Sequence, residues 1–492
     1  MSAAAPSGEF EVDRRPGVAT KALTSLAVLV AAAVAALSGL GAGSDSKLAV
    51  VLPLALAAGA ILAVLAFTRF RIYVMALLVL RASIDLAKLS NDQTAAATMG
   101  AEAAGRGLDP SSLFAVVFLL ASAIWLAAQH YRQGALPGSA LRRALLVFIA
   151  AAAISVPATT NVRAGGLELL RILAAVMMFI VLEQLIVNHA VLRQVLLAAF
   201  LSLLFPLAYT LFGFLAGGPA SEVKGAFTRI TGPFSTSNVF ARYLMLMIIF
   251  GVALYPHLGR ALRVALGAAL ALSTAFLLLT YTRTAIIGTA IGVVLVGALH
   301  SKRLLLGLLV LVVCALVFVP QLSSRFTQLA EAPTSADVAS RNTLTWRINY
   351  WTEVLPLANS SPVTGIGLTS TQFATDEAKQ PHNDFVRAYV ETGLIGFFAY
   401  LAVLVALVAL GLRAAQVSPP GSLDRGVAVG FLGCAVAFVA VSLAANVLSN
   451  VVLLWYLFAF AAAASFVVRQ HSSPHRTHRT SPSETGGSLR GN

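Results

Sequence analysis

The sequence predicts an all-α polytopic membrane protein, with about 14 transmembrane helices and one long extracytoplasmic loop containing short amphipathic helices. Three observations carry this. Of 492 residues, 58% are hydrophobic and 11% charged, against about a quarter charged in a soluble domain. A chain so poor in charge cannot cover a water-facing surface. Its apolar runs recur at lengths near the roughly 20 residues that cross a bilayer. Nothing resembles the alternating short strands of a membrane barrel, so the backbone must satisfy its hydrogen bonds within helices.

The apolar spans fall near 21–41, 48–67, 72–88, 113–129, 144–157, 167–187, 194–216, 237–256, 264–281, 285–299, 304–320, 386–411, 426–446 and 450–468. Arg81, Asp85 and Lys88 interrupt the third. The first twenty residues are polar and mixed in charge, unlike the short basic start of a signal peptide, so 21–41 reads as a retained first helix behind a cytoplasmic tail. Residues 21–320 and 386–468 then form two groups of transmembrane helices around the loop 321–385, and 469–492 is a basic, disordered cytoplasmic end. Cys314 and Cys434 lie inside apolar runs and read as small buried hydrophobes, not as a disulfide or metal site.

Charge orients these spans. With the N-terminus inside and the sides alternating, 19 of the 34 Lys+Arg fall in inner segments and 10 in outer ones. Nearly every short inner turn is basic, as the positive-inside rule demands. The net charge of +14 thus orients the protein and requires no nucleic-acid partner. Both termini are placed in the cytoplasm and the long loop outside.

That loop is longer than a structureless connection usually is, which points to function. Leu344, Ile348, Trp351 and Leu355 recur at helical spacing behind Asn342-Thr343 as a possible cap, predicting an amphipathic helix. "SSPVTGIG" at 360–367 follows as turn chemistry. No internal repeat of fixed period is present.

Candidate chemistry gathers on the outer side. Residues 264–299 are apolar apart from "TYTRT" at their centre. One helix of that length would run about 54 Å at 1.5 Å per residue, so it must break, and Arg283 marks the break. An arginine held in a tight outer turn suits an anion, although an arginine snorkelling to the interface is the structural alternative. Arg229 precedes "TGPFSTSN", and Arg242 lies one turn inside the next span, where a charge is costly unless it faces a polar interior. Guanidinium forks match phosphate oxygens bidentately and keep their charge. In "RNTLTWRINYW", Arg341 and Arg347 flank aromatic faces that suit sugars or headgroups, while the tryptophans read first as interfacial anchors. In "PHNDFVRAYVETGLIG", His382 can accept a proton from a hydroxyl, and Asn383 and Asp384 can orient it or the substrate. Arg387 and Glu391 are spaced to pair on one helix face, and Gly393 and Gly396 to thin that helix for close packing. Tyr281, Arg242, Arg347, Asn383 and Glu391 join the site as substrate-contacting candidates beside Arg229, Arg283 and His382. No phosphate-binding Gly-rich loop, His-Glu-x-x-His or sugar-nucleotide Asp-x-Asp is present. An outer-face transfer then needs a donor that carries its own leaving group, such as a lipid diphosphate.

The order "FTRITGPF…N", "TRT" between two spans, and "WRINYW…SPVTGIG…PHNDF…ETGLIG" resembles the O-antigen ligase family, which overlaps lipid-linked O-antigen polymerases and protein O-oligosaccharyltransferases. The resemblance covers roughly residues 225–410. It implies a multi-pass, metal-independent glycosyltransferase of the cell (inner) membrane, active on the extracytoplasmic side and without a cofactor. The donor it implies is a glycan on undecaprenyl diphosphate, and the acceptor a glycan or lipid hydroxyl, as in lipopolysaccharide and other envelope polysaccharides. Arg229 and Arg283 would bind the diphosphate, and His382 would activate the acceptor. The family usually has about twelve spans against the fourteen or so read here. A repeat-unit polymerase is the neighbouring reading. A flippase for lipid-linked oligosaccharide is the reading from another class, but transporters usually show repeated halves and midplane sites.

Overall fold

A computed structural model describes residues 59–84, 110–134, 138–217, 221–224, 227–300, 307, 344–375 and 379–472. Among them are ten helices long and apolar enough to cross a membrane, and two shorter apolar ones, Gly59–Thr68 and Phe70–Leu80. These overlap twelve of the fourteen predicted spans. The other two, 21–41 and (apart from residue 307) 304–320, lie outside the described residues, as do the N-terminal tail, Cys314 and Arg341.

In chain order the elements are α1 (Phe70–Leu80), α2 (Pro110–Gln133), α3 (Ala140–Ser155), α4 (Val162–Leu185), α5 (His189–Leu201), α6 (Leu204–Ala216), β1 (Ser221–Lys224), β2 (Phe227–Ile230), α7 (Ser237–Leu254), α8 (Arg260–Leu279), α9 (Arg283–His300), α10 (Leu344–Val354), α11 (Asp384–Val417), α12 (Leu423–Ser442) and α13 (Val451–Ser472). The molecule is mostly helical, as predicted, with one departure from an all-α reading: β1 and β2 form an antiparallel hairpin that sets Glu222 opposite Arg229. Helix starts follow local chemistry. The side chains of Ser139, Asn161, Asn188, Thr236 and Ser422 each accept a hydrogen bond from a backbone N–H of the turn they open, satisfying donors that have no partner within the helix.

Three helices form the centre. The most apolar stretch of α13 is 89% buried, and those of α7 and α12 are 78% buried, against 22% for α2. Helices apolar on every side belong inside a bundle, and α13 packs on α4, α11, α12 and α7. Small residues bring α9 against α7 and α12. A Cβ on Gly288 would stand 2.6 Å from Met245 Sδ and 2.7 Å from Val441 Cγ2, the small-residue contact that membrane helices use for close approach. Cys434 is buried in α12, as predicted.

The two ends of the bundle differ. At one end, Asp424 lies 3.1 Å from His189 Nε2 and 2.7 Å from His471 Nε2, and Glu183 accepts from Ser465 Oγ at 3.0 Å. Arg142, Arg193, Arg260, Arg263, Arg425 and Arg469, all assigned to the inner side by the charge count, belong to this end. α13 continues through Ser472, so Arg469 is helical and not the start of a disordered tail; residues 473–492 lie outside the described set. The opposite end holds Arg229, the start of α9 and His382.

Two expectations need correction. The face of α10 that packs on the protein does not include Ile348 and Leu355 of the predicted stripe Leu344–Ile348–Trp351–Leu355. Ile348 and Leu355 are exposed, and Tyr350, Val354 and Ala358 are buried against Val390 instead. The buried face is set by α11 behind it, not by the hydropathy of the loop. Gly393 does more than thin a helix: its backbone (φ 65°, ψ −170°) breaks α11 nine residues from its start. The part that follows, 394–417, then runs about 36 Å at 1.5 Å per residue, close to one bilayer thickness.

Candidate active site

α8 ends at Leu279 and α9 starts at Arg283. Between them Tyr281 adopts a left-handed backbone (φ 49°), which compresses the predicted break into three residues. Arg229 reaches into this turn from β2. Its Nε donates to Thr280 O at 2.7 Å, and its Nη2 to Thr282 Oγ1 at 2.8 Å and Asn238 Oδ1 at 3.3 Å. These three contacts fix the orientation of the buried Arg229 side chain. Arg283 is the next residue after Thr282 and carries a second cation to the same turn. Tyr281 also lines a cavity of about 370 Å³ with Thr210, Phe214 and Thr228.

Asn238 begins a second series of contacts. Four residues on, and therefore on the same face of α7, Arg242 is buried and donates from Nη1 to Asn446 O at 3.0 Å. Arg347, from α10, donates to Ala444 O at 3.0 Å. Burial pulls the Arg347 guanidinium below its ordinary value. Both arginines thus hold the connection between α12 and α13, residues 443–450. Asp384 clamps the same connection, its Oδ2 accepting from the backbone N–H groups of Val447 and Leu448 at 2.9 and 3.1 Å. The clamp sets Asn446 Nδ2 3.5 Å from His382 Nδ1.

His382 itself has a left-handed backbone (φ 53°), an unusual conformation for a residue with a Cβ. It is fixed from both sides. Before it, Trp351 Nε1 donates to Pro381 O at 2.7 Å, and Tyr350 Oη to Lys379 O at 2.5 Å. After it, Asn383 Oδ1 caps α11 by accepting from Phe385 N and Val386 N.

A buried ionic network supports this end of α11. Arg387 donates from Nε to Glu391 at 2.8 Å, from Nη2 to Glu168 at 3.0 Å and from Nη1 to the Ser449 hydroxyl. Ser449 in turn donates to Glu168 at 2.8 Å, and Thr371 to Glu391 at 2.6 Å. Buried charges persist only when paired and hydrogen-bonded in this way. The helix break is filled by the 360–367 turn. Ile366 N donates to Val390 O and Gly367 N to Glu391 O, both at 3.0 Å, while Leu394 N donates to Pro362 O at 2.9 Å.

The site residues predicted from sequence therefore divide. Arg229, Tyr281 and Arg283 share one turn. Arg242, Arg347 and His382 meet around residues 443–450, and the Asn238–Arg242 turn of α7 joins the two groups. Two assignments change. Glu391 is 1% exposed, and its carboxylate is engaged by Arg387 and Thr371, so it braces α11 instead of meeting substrate. Asn383 is a helix cap, its oxygen taken by two backbone N–H groups. Trp351 is half-buried, and its Nε1 holds the backbone before His382. The side chain of Trp346 lies outside the described set. Sequence reasoning missed Asn446, Ser449, Glu168 and the Thr280–Thr282 pair. Among the described residues no cluster of three His, Cys, Asp or Glu is placed to hold a metal ion.

Searched against curated proteins, the chain finds no match. Residues 268–401 match the family described as O-antigen ligase. The matched segment contains Arg283, Arg347 and His382, and leaves Arg229, Arg242 and residues 443–450 outside it. Through that segment, and with ten apolar helices of membrane-crossing length among the described residues, the chain is similar to the O-antigen ligase family.

Proposed function

We propose that this protein transfers a glycan from undecaprenyl diphosphate to an acceptor hydroxyl at the outer face of the cell membrane. The O-antigen ligase match at residues 268–401 supports a membrane glycan-transferring enzyme of the ligase or polymerase kind; the donor, the acceptor and the roles below are our reading. His382 takes the proton from the acceptor hydroxyl as its oxygen attacks the anomeric carbon. The bond from that carbon to the diphosphate breaks, and its electron pair leaves with the diphosphate. Arg229 and Arg283 neutralise the charge that develops there, a role for which prepositioned guanidiniums suffice without a metal. Arg242 and Arg347 line the same end and extend its positive potential toward His382. The arginine-rich opposite end faces the cytoplasm by the positive-inside rule, which puts the site outside and both termini inside, with 321–385 as the catalytic loop.

One observation carries this reading: a run of contacts from Arg229 through Asn238, Arg242 and Asn446 to His382, joining cations to a proton acceptor at one end of the bundle. The test uses purified protein in lipid nanodiscs with undecaprenyl-diphosphate-linked glycan. His382→Ala and Arg283→Ala each lower transfer by about 10²–10³-fold or more. Full transfer in both variants overturns the assignment. Omitting the separate acceptor decides between neighbouring activities, since growth of the glycan on its carrier alone marks a polymerase. Movement of the lipid-linked glycan across the bilayer stays unchanged in both variants; its loss marks a flippase.

A further inference from the structure

We infer that Asn446 is a positioning residue for His382: its side-chain amide accepts from His382 Nδ1–H, fixing the tautomer in which Nε2 takes the acceptor proton. This rests on the reading of His382 as the base.

Asn446 lies in the α12–α13 connection, far from His382 in sequence. The amide and the imidazole face each other at 3.5 Å, Nδ2 to Nδ1. Hydrogen bonds around a catalytic group run long in ligand-free proteins and tighten when substrate binds. The orientation of an asparagine amide is an assignment, because its O and N ends are nearly alike in shape. Nδ2 donating to Nδ1 leaves the proton of a neutral imidazole on Nε2, which then cannot act as a base. The reversed amide turns Oδ1, otherwise buried and unpaired, toward Nδ1–H, and Nε2 becomes the basic nitrogen.

The backbone that carries Asn446 is also held firmly. Arg242 grips Asn446 through its backbone carbonyl, and Asp384 grips the next two backbone N–H groups. Neither contact uses the Asn446 side chain, so the side chain can be exchanged without releasing the loop. His382 is held in a left-handed backbone, a strain that structures keep where a side chain must be aimed. Arg242 from α7, Arg347 from α10 and Asp384 from α11 hold the segment that carries Asn446, and all three remain in the variants below.

The proton balance is simple. The acceptor O–H bond breaks as the proton moves to Nε2, and the imidazolium formed is stabilised by the amide oxygen at Nδ1–H. Asn446→Ala removes that oxygen and its hold on Nδ1–H. Asn446→Asp replaces it with a carboxylate that only accepts.

The experiment measures glycan transfer against pH in nanodiscs for the native protein, Asn446→Ala, Asn446→Asp and His382→Ala, with thermal unfolding as a check on folding. In Asn446→Ala, kcat falls tenfold or more, a part of the ~10²–10⁴ a general base supplies, while donor KM stays within about twofold. Asn446→Asp retains more activity than Asn446→Ala, and the acid limb of its profile moves to higher pH because the carboxylate favours the imidazolium. Native kcat and pH profile in Asn446→Ala, with His382→Ala inactive, overturn the role of Asn446 alone. Equal losses in the Ala and Asp variants without a pH shift overturn it too, as a purely structural effect. Full transfer by His382→Ala overturns the reading on which the inference rests.

Discussion

Gly365 and Gly393 are pressed against each other where α11 breaks, so closely that neither has room for a Cβ. One added to Gly393 would stand 2.6 Å from Gly365 N and 2.2 Å from Val363 O, and one on Gly365 would meet Gly393 N at 2.5 Å. The Gly393 backbone also occupies a region that is essentially glycine-only. Gly393→Ala is therefore expected to cost more than the ~1–3 kcal/mol of a strained backbone, because the 360–367 turn must also move. Thermal unfolding in detergent measures the loss, and a transition unchanged from the native protein would contradict the interlock.

Arg387 satisfies three acceptors at once, and its removal strands Glu168 and Glu391 in the protein interior. Arg387→Ala should destabilise the fold by about 3–5 kcal/mol. Lysine should restore little, since a single ammonium cannot reproduce a planar fork. A denaturation series of the two variants checks both statements.

Asn383 offers a way to separate a cap from a substrate contact. As a cap, Asn383→Ala costs about 1 kcal/mol, and serine or aspartate recovers most of it. Donor and acceptor KM should stay near native in the serine variant. A KM that rises in every variant, with stability untouched, would restore the substrate-contacting role.

The proposed transfer is a single displacement, so the configuration at the anomeric carbon should invert. Comparing the anomeric coupling constants of donor and product by NMR reads this directly. Retention would require a covalent glycosyl-enzyme, and His382 would then need another role.

Much of this architecture was legible in the sequence because membranes constrain it strongly. Apolar length located the helices, and a 36-residue apolar run too long for one crossing located the turn at Arg283. The cations and the histidine were visible as polar residues out of place. The connection 443–450 was not. "LAANVLSN" reads as a continuation of the apolar runs around it, and its contributions to the site are largely backbone groups: the carbonyls of Ala444 and Asn446 and the amides of Val447 and Leu448. Main-chain donors and acceptors are the same in every residue and leave no mark in composition. The buried face of α10 was misread for a related reason, because α11, lying behind it, decides which side is covered. The Arg387–Glu391 pair was legible in its i,i+4 spacing, and the structure bears it out; the Thr371 hydroxyl that also holds Glu391 comes from a distant turn and was not.

The segment that sets Asn446 beside His382 lies between the last two described helices, α12 and α13. Synthesis runs from the N-terminus, so a ribosome that has delivered the chain through α11 has made the imidazole but not the loop that aims it. The proposed catalytic centre would therefore be a late product of biogenesis, complete only when α12 and α13 have entered the bilayer.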